Sequence, residues 1–242
     1  TNGSLLTRHA EKLASSGLDR VTVSLDAIED EIVQDISNSS ISSNDIIEGI
    51  KAALEHGLEV KVNTVIIKNY NEHQIIPITE LFSEMGVSVR FIEYMDVGGT
   101  KNWNPEQVVF GDEIRTIIAT KFGRLTPLKQ QKYGEVANRW SLSNGYEIGF
   151  IESISKPFCQ SCTRARISAN GKLYTCLFSE CGYDLKSLIT MGADIKDLRD
   201  AVIALWKKRD DRYSELRTVQ QVVTNPVAVS YTHLTLPTND QV

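Results

Sequence analysis

The sequence predicts an α/β fold, in which parallel strands alternate with helices and a smaller β-rich domain follows. Two observations lead to this prediction. Segments with strand-like alternation are followed by segments with helical spacing, and such repeated units build a parallel sheet, either open or closed into a barrel. After Gly123 the pattern changes to short strands paired through tight turns. We therefore expect a first domain over residues 1–122 and a second over residues 123–217.

Local signals predict the first elements. Turn-forming residues open the chain, and the helix LLTRHAEKLASSG follows, with Gly17 at its C-terminal end. Alternating apolar residues then predict a strand over residues 20–26. A helix is predicted over residues 43–56, because a capping residue precedes apolar residues at helical spacing and Gly57 comes just past its end.

The remainder of the first domain repeats this pattern. Strands are predicted over residues 60–67 and 87–95, with a helix over residues 72–85 between them. The glycine- and asparagine-rich residues 96–107 favour a connector or a flexible lid over a phosphate cradle. A helix over residues 111–122 completes the domain.

The second domain is predicted to begin with a β-hairpin. Strands over residues 138–142 and 146–154 are joined by a tight turn at Asn144 and Gly145. Helical spacing over residues 185–213 predicts a closing helix that packs against one of the sheets.

Composition narrows the classes of function. The chain has 242 residues and a net charge of −5, so it lacks the basic footprint of a nucleic-acid-binding protein. No apolar run approaches the length of a membrane span. Four cysteines in a chain of this length, without a recognisable secretory leader, predict a reducing compartment, the cytoplasm.

Charged and polar residues interrupt the predicted strands. Lys61 and Asn63 share one face of their strand, and Arg90 lies in the middle of another. Parallel strands are normally buried on both faces, so charges there are costly unless they line a wet cavity or meet an anion. The alternative is a strand end or a sheet edge, where the charge reaches water. Ser24 and Asp26, at the end of their strand, are candidates for cofactor contact or ordinary turn residues.

The segment PFCQSCTRARISANGKLYTCLF holds three of the four cysteines in one short hairpin. Cys159 and Cys162 are separated by two residues, which places two thiols on one tight loop, as zinc and iron–sulfur sites require. Two short strands joined at Asn170 and Gly171 then bring Cys176 back beside the first pair.

This segment has several interpretations. Cys181 could complete a four-cysteine structural zinc site, and spacing alone does not separate that site from an iron–sulfur cluster. A disulfide is disfavoured, because a two-residue loop closes with strain. Arg164 and Arg166 favour recognition of a carboxylate or a phosphate over a purely structural zinc site, although an exposed arginine pair is often only a solvated face.

The run F-C-x-x-C-x-R-x-R-x-S-x-x-G-K-x-x-x-C-L-F resembles the C-terminal cluster motif of the molybdenum cofactor biosynthesis protein A family, the radical-SAM GTP 3′,8-cyclases. The likeness continues through RVTVSLDAI, VKVNTVIIKNYNEHQI and RFIEYMDVGGTKNWN, and so covers most of the chain. It implies a partial, incomplete radical-SAM TIM-type barrel with a smaller β-rich iron–sulfur domain. It also implies the first step of molybdenum cofactor biosynthesis, conversion of GTP to 3′,8-cyclo-7,8-dihydroguanosine triphosphate by radical chemistry of S-adenosylmethionine (SAM).

The resemblance also implies roles for individual residues. They are Cys159, Cys162 and Cys176 as ligands of a C-terminal [4Fe–4S] cluster, Lys61, Arg90, Arg164 and Arg166 as contacts of GTP, and Ser24, Met95 and Thr1 as contacts of SAM. No side chain receives a catalytic role of its own, because the cofactors carry the reaction. The implied partner is a cyclic pyranopterin monophosphate synthase, which processes the product, and a homodimer is left open.

The sequence departs from the family pattern at both ends. The first cluster of the family uses an N-terminal Cys-x3-Cys-x2-Cys triad, whereas no cysteine precedes Cys159. We therefore expect an N-terminally truncated polypeptide that is inactive alone, although its parent gene encodes a cyclase. Residues 218–242 are expected to form a non-native, poorly packed tail, because SYTHLTLPT resembles translated adapter sequence. The alternative functions are another radical-SAM enzyme with an auxiliary cluster, or a non-catalytic zinc-binding module.

Overall fold

The chain folds into two compact units. The computed structural model describes residues 1–95, 103–179 and 181–216. The first unit comprises Thr1–Tyr94 and Asn104–Ser155. The described part of the second unit comprises residues 156–179 and 181–216, with Met95 and Trp103.

The first unit alternates helices and strands. Its helices are α1 (Leu6–Ser15), α2 (Asp30–Ser37), α3 (Ser43–Glu55), α4 (Ile75–Glu84) and α5 (Gly111–Phe122). Its strands are β1 (Arg20–Ser24), β2 (Glu59–Ile66), β3 (Ser88–Glu93), β4 (Thr126–Pro127), β5 (Asn138–Ser141) and β6 (Glu147–Ile151). Each strand and helix that the sequence predicts in this part of the chain is confirmed to within a few residues, and α2 is an additional helix.

The six strands form one sheet in the order β1-β2-β3-β6-β5-β4. The pairs β1–β2, β2–β3 and β3–β6 are parallel, and β5 and β4 extend the sheet in antiparallel fashion. The predicted α/β class with parallel strands is thereby confirmed. Because β6 pairs with β3, the hairpin expected in the second domain lies in the first unit, and the two units divide after Ser155. The domain boundary at residue 123 stays a prediction.

The first sheet has an apolar and a polar face, because successive side chains of a strand point in opposite directions. Buried residues of the apolar face and of the helices form the core; among them are Val23, Val62, Val89, Phe91, Ile148, Phe150, Ile46, Ile50, Ile78, Phe82, Ile114 and Ile118. The opposite face carries Thr22, Ser24, Lys61, Asn63, Ser88 and Arg90. Polar side chains from three neighbouring strands therefore share one surface.

The second unit contains a separate antiparallel sheet in the order β7-β8-β9. Its strands are β7 (Arg166–Ile167), β8 (Lys172–Tyr174) and β9 (Tyr183–Asp184), and its helices are α6 (Leu185–Thr190), α7 (Ile195–Lys207) and α8 (Tyr213–Leu216). The predicted turn at Asn170 and Gly171 is confirmed, and Gly171 has a φ of +79° that favours glycine. The single helix predicted over residues 185–213 is wrong, because Gly192 adopts a φ of +90° and ends α6.

Two sequence predictions fall at the limits of the described residues. Most of the loop over residues 96–107 and the whole tail over residues 218–242 lie outside them. Within the part of the chain that the structure describes, no helix combines the length and apolar character needed to cross a membrane.

Candidate functional site

A row of polar side chains crosses the polar face of the first sheet. Ser24 of β1 is in register with Asn63 of β2, which is in register with Arg90 of β3. Asn63 is 7% exposed, and neither its Oδ1 nor the buried Oγ of Ser24 has a hydrogen-bond partner among the described residues. Buried polar atoms normally have partners, so two unsatisfied atoms on adjacent strands indicate a place where a ligand or water binds.

The side chain of Arg90 lies over Gly149 of β6. A Cβ atom at position 149 would be 2.9 Å from Cγ of Arg90, so a residue without a side chain leaves room for the arginine. Burial lowers the pKa of Arg90 and the charge of Arg20 lowers it further, whereas Glu59 and Glu135 raise it. A partly desolvated cation that is repelled by a second cation gains from an anionic ligand.

Lys61 lies on β2 two residues before Asn63, towards the amino-terminal ends of the parallel strands. It is in register with Thr22 and Ser88. Its Nζ is 2.7 Å from Oε1 of Glu59, two residues earlier on the same face of β2. The hydrogen bond and charge of Lys61 are the largest causes of a lowered pKa for Glu59. The structure thus places Lys61 on the predicted face, but with its ammonium group bound to a carboxylate.

Thr1 lies beside β1, next to Ser24. Its terminal ammonium group donates to the Thr22 carbonyl at 3.0 Å, and the Ser24 N–H donates to the Thr1 carbonyl at 3.0 Å. Two of the residues assigned to SAM by resemblance are therefore neighbours. Met95, the third, lies two residues beyond β3 and belongs to the second unit.

Sequence analysis missed a hydrogen-bond network at the carboxyl ends of β1 and β2. Asn71 is fully buried, and its Nδ2 donates to the carbonyls of Asp26 and Val65 at 2.8 Å each. Its Oδ1 accepts from the Ile67 N–H at 2.7 Å, and Oδ1 of Asp26 accepts from the Val65 N–H at 2.7 Å. The network joins the two loops that begin just beyond the polar row. Its sequence signal is the polar run NYNEHQ after a buried strand.

A buried carboxylate fixes the last residues of the first unit. Glu93 is 1% exposed and accepts from the N–H groups of Gly111, Ile154 and Ser155 at 2.8 to 2.9 Å, as well as from the Ser155 hydroxyl. Charge-assisted hydrogen bonds of this kind are stronger than neutral ones. Glu93 therefore ties the start of α5 to the end of the first unit.

The thiols of the second unit lie on two turns. Cys159 opens the short 3-10 turn Cys159–Ser161, and the Cys162 N–H donates to the Cys159 carbonyl at 3.3 Å. Cys176 follows β8, and it is half-buried like the first pair, whereas Cys181 is exposed. Among the described residues, no three His, Cys, Asp or Glu side chains are arranged to hold a metal ion. The three-cysteine ligand set therefore stays a prediction.

Arginines lie close to the thiols. Burial acts to raise the pKa of Cys162, but hydrogen bonds from Arg209 and Arg164 outweigh it and lower the pKa to about 7. The Arg164 guanidinium also lies 5.0 Å from the centre of the Phe158 ring. Burial, followed by repulsion from Arg164, lowers the pKa of Arg166, and the charge of Cys162 opposes this. Arg164 and Arg166 thus both interact electrostatically with Cys162.

Arg209 is a residue that sequence analysis missed. It donates from Nη1 to the Cys162 carbonyl and from Nε to Asp211 at 3.0 Å, and its guanidinium lies 4.8 Å from the centre of the Trp206 ring. Burial raises the pKa of Cys176, and the charge of Asp211 adds to the effect. The only sequence signal for Arg209 is the charged run KKRDDRY, which a solvated helix end would also explain.

Comparison with family models shows to which protein family the chain belongs. Residues 87–215, more than half of the chain, match the family model described as Molybdenum Cofactor Synthesis C. The chain belongs to this family. Residues 1–82 match the Radical SAM superfamily.

Curated relatives of the chain support the assignment. GTP 3′,8-cyclases from Staphylococcus aureus strains MRSA252, JH9 and Newman are each 45% identical to it over 224 residues. The aligned part covers 92% of this chain and 66% of each relative. The chain thus spans just under two thirds of the length of the proteins it resembles.

The cysteines supply the kind of ligand atom that iron–sulfur clusters use. All four free cysteines of the chain lie within the matched region. Thiolates are the usual ligands of iron–sulfur clusters, and Arg164 and Arg209 favour the thiolate form of Cys162. The donor set therefore suits such a group.

Proposed function

We propose that the chain is part of a GTP 3′,8-cyclase, which converts GTP to 3′,8-cyclo-7,8-dihydroguanosine triphosphate in the first step of molybdenum cofactor biosynthesis. The observation that carries the proposal is the 45% identity to proteins of that name over 92% of the chain. The matches to the Radical SAM superfamily and to Molybdenum Cofactor Synthesis C support it.

In this proposal the parallel strands β1, β2 and β3 form a segment of a radical-SAM barrel. Its polar face becomes the interior surface, and the helices on its apolar face form the outer layer. The unsatisfied atoms of Ser24 and Asn63 support this orientation, because they need a ligand or water on that side. The β-rich second part, over residues 123–217, is proposed as the iron–sulfur domain.

Basic side chains are proposed to bind the anionic substrate. In the first unit, Lys61 and Arg90 contact GTP and offset its negative charge, with Gly149 leaving room for the arginine stem. In the second unit, Arg164 and Arg166 have the planar donor groups that suit a phosphate or a guanine edge. Placement and charge neutralisation are the contributions that a protein makes to cofactor-driven chemistry.

Two separate sets of residues are proposed to hold the two cofactors. We propose that Cys159, Cys162 and Cys176 hold a [4Fe–4S] cluster, which with three protein ligands supplies one iron with an open coordination position. Thr1, Ser24 and Met95 would contact SAM, which supplies the 5′-deoxyadenosyl radical. The chain has no cysteine before Cys159, so binding rather than turnover is the appropriate test.

The product of this reaction is the substrate of the next enzyme. We propose a cyclic pyranopterin monophosphate synthase as the downstream partner. The free thiols suit a reducing compartment, and we propose the cytoplasm.

Metal analysis after anaerobic reconstitution tests the cluster. We expect about four irons and as many sulfides per chain, retained in Cys181→Ala and lost in Cys176→Ala. Cys181 is the matched control, because it is the one exposed cysteine among the four. Stoichiometric zinc without sulfide, lost in Cys181→Ala, would instead establish a structural zinc module.

Nucleotide binding tests the substrate. We expect GTP to bind Arg166→Ala about tenfold more weakly than the unmodified chain, because a charge-assisted phosphate contact is removed. Arg199→Ala is the control, since Arg199 is an exposed arginine of α7 paired with Asp200 at 3.4 Å. Equal losses in both variants would contradict a specific role for Arg166.

A further inference from the structure

Glu59 lies among three cations on the polar face of the first sheet. It is in register with Arg20 of β1 and forms the 2.7 Å ion pair with Lys61. Arg20 and Arg90 also act on it electrostatically, although less strongly than Lys61. One carboxylate therefore faces three cations.

The ion pair contributes little to folding, which leaves its presence on this face to be explained. The side chains of Lys61 and Glu59 are 33% and 55% exposed, and exposed pairs stabilise proteins weakly because water screens them. Lys61 and Glu59 also belong to the same strand, so their contact joins no separate elements of the fold. Its main effect is to occupy the lysine ammonium group.

We propose that Glu59 is an internal competitor for the phosphate groups of the substrate, and so sets the affinity of Lys61 and Arg90 for them. The inference rests on the proposed function, because it takes the anion to be the triphosphate of GTP. In the free chain the Glu59 carboxylate holds the ammonium group of Lys61. A phosphate must displace it, and the half-exposed side chain of Glu59 can turn away into water when this happens.

The competition favours highly charged ligands. A triphosphate carries several negative charges within reach of Lys61 and Arg90, so it replaces the single carboxylate with a net electrostatic gain. A singly charged anion gains no such advantage over Glu59. The residue therefore acts as a specificity determinant for the charge of the ligand.

The test compares Glu59→Gln with Glu48→Gln in the full chain. Glu48 pairs with Lys51 on the surface of α3 at 2.8 Å, with side chains that are 49% and 50% exposed, so this variant removes the same charge from a similar pair elsewhere. The probes are GTP and inorganic tripolyphosphate, titrated calorimetrically at low and at high salt. Circular dichroism and thermal unfolding verify that each variant is folded.

We expect both probes to bind Glu59→Gln about three- to tenfold more tightly than the unmodified chain. The reason is that the negative charge at position 59 no longer repels the phosphate groups at short range. The gain should shrink at high salt, be absent in Glu48→Gln, and become smaller when Lys61→Gln is added. The same gain in Glu48→Gln would reduce the effect to net charge and overturn the inference.

The remaining outcomes separate this inference from the proposed function. If GTP binds the unmodified chain and Glu59→Gln with equal affinity, the competitor role is refuted while GTP binding stands. If neither GTP nor tripolyphosphate binds any of the variants or the unmodified chain, the proposed substrate contacts of Lys61 and Arg90 fall, and the competitor role falls with them.

Discussion

Arg90 and Gly149 are partners across the parallel strands β3 and β6, and the arginine stem fills the space that a side chain at position 149 would need. The two residues are therefore coupled: the glycine on one strand determines where the guanidinium of the other can lie. Several consequences for stability and binding can be measured.

Replacing Gly149 with alanine should displace Arg90. The new Cβ would lie 2.9 Å from Cγ of Arg90 and 3.2 Å from Cβ of Ala137, so we expect a loss of about 1–3 kcal/mol in the free energy of unfolding. GTP should also bind more weakly in a calorimetric titration. Adding Arg90→Ala should recover much of the lost stability, and strict additivity of the two changes would show that the contact is unimportant.

Replacing Asn71 with alanine should loosen the loops after β1 and β2. The change removes two donated hydrogen bonds and one accepted hydrogen bond, and it leaves the carbonyls of Asp26 and Val65 without this donor. We expect a loss of about 2–4 kcal/mol in the free energy of unfolding by urea denaturation. The exposed Gln130→Ala should change it by less than about 0.5 kcal/mol. A similar small effect in both variants would rule out the network as a stabilising element.

Replacing Arg115 with methionine should remove the cation that pairs with the buried carboxylate of Glu152. Nη2 of Arg115 donates to Oε1 of Glu152 at 2.8 Å, and the guanidinium lies 4.8 Å from the ring centres of Trp140 and Phe150. Glu152 is 2% exposed, so the single variant should lose about 3–5 kcal/mol of stability. The double variant with Glu152→Gln should lose less than the two single changes together. Thermal and chemical denaturation of the three variants measure this coupling, and its absence would contradict the structure.

Stability should fall in acid partly through Asp30. The N–H and hydroxyl groups of Ser43 donate to its Oδ1 at 2.7 and 2.8 Å, and these hydrogen bonds lower its pKa. A carboxyl group with a lowered pKa in the folded state stabilises the fold above its ordinary pKa, and this contribution is lost as the pH falls through the lowered value. Asp30→Asn should therefore be less stable than the unmodified chain at neutral pH, with the difference shrinking in acid. A stability difference between the two chains that is the same at neutral and at acid pH would contradict this role of Asp30.

The local elements of the first unit could be predicted from the sequence, because they depend on short-range patterns. Alternation defines β1 and β2, and the capping residues of α3 give its start at Ser43. The helix α2 escaped prediction, because it has only eight residues and lacks the side-chain cap that marks the start of α3. The addition of β6 to β3 also escaped prediction, because strand pairing over a long sequence separation leaves no local signal.

The candidate site was predictable to the same extent. The cysteine spacing and the lysine and arginine within strands are visible in the sequence, whereas only the register shows that Lys61 and Asn63 share a face with Arg90. Arg209 and Glu59 could not be recognised, because charged residues are common on surfaces and only the fold shows what they contact. The break at Gly192 likewise depends on a backbone conformation that helical spacing does not reveal.

The hydrogen bonds of Glu93 affect how far local unfolding spreads along the chain. Its carboxylate holds the N–H groups of Ile154 and Ser155, the last residues of the first unit before the chain enters the cysteine-bearing one. Within the described residues the two sheets share no strand, so fraying that starts around the cysteines meets this buried anchor before it reaches β6. Local unfolding of the cysteine-bearing unit can therefore leave the parallel sheet intact.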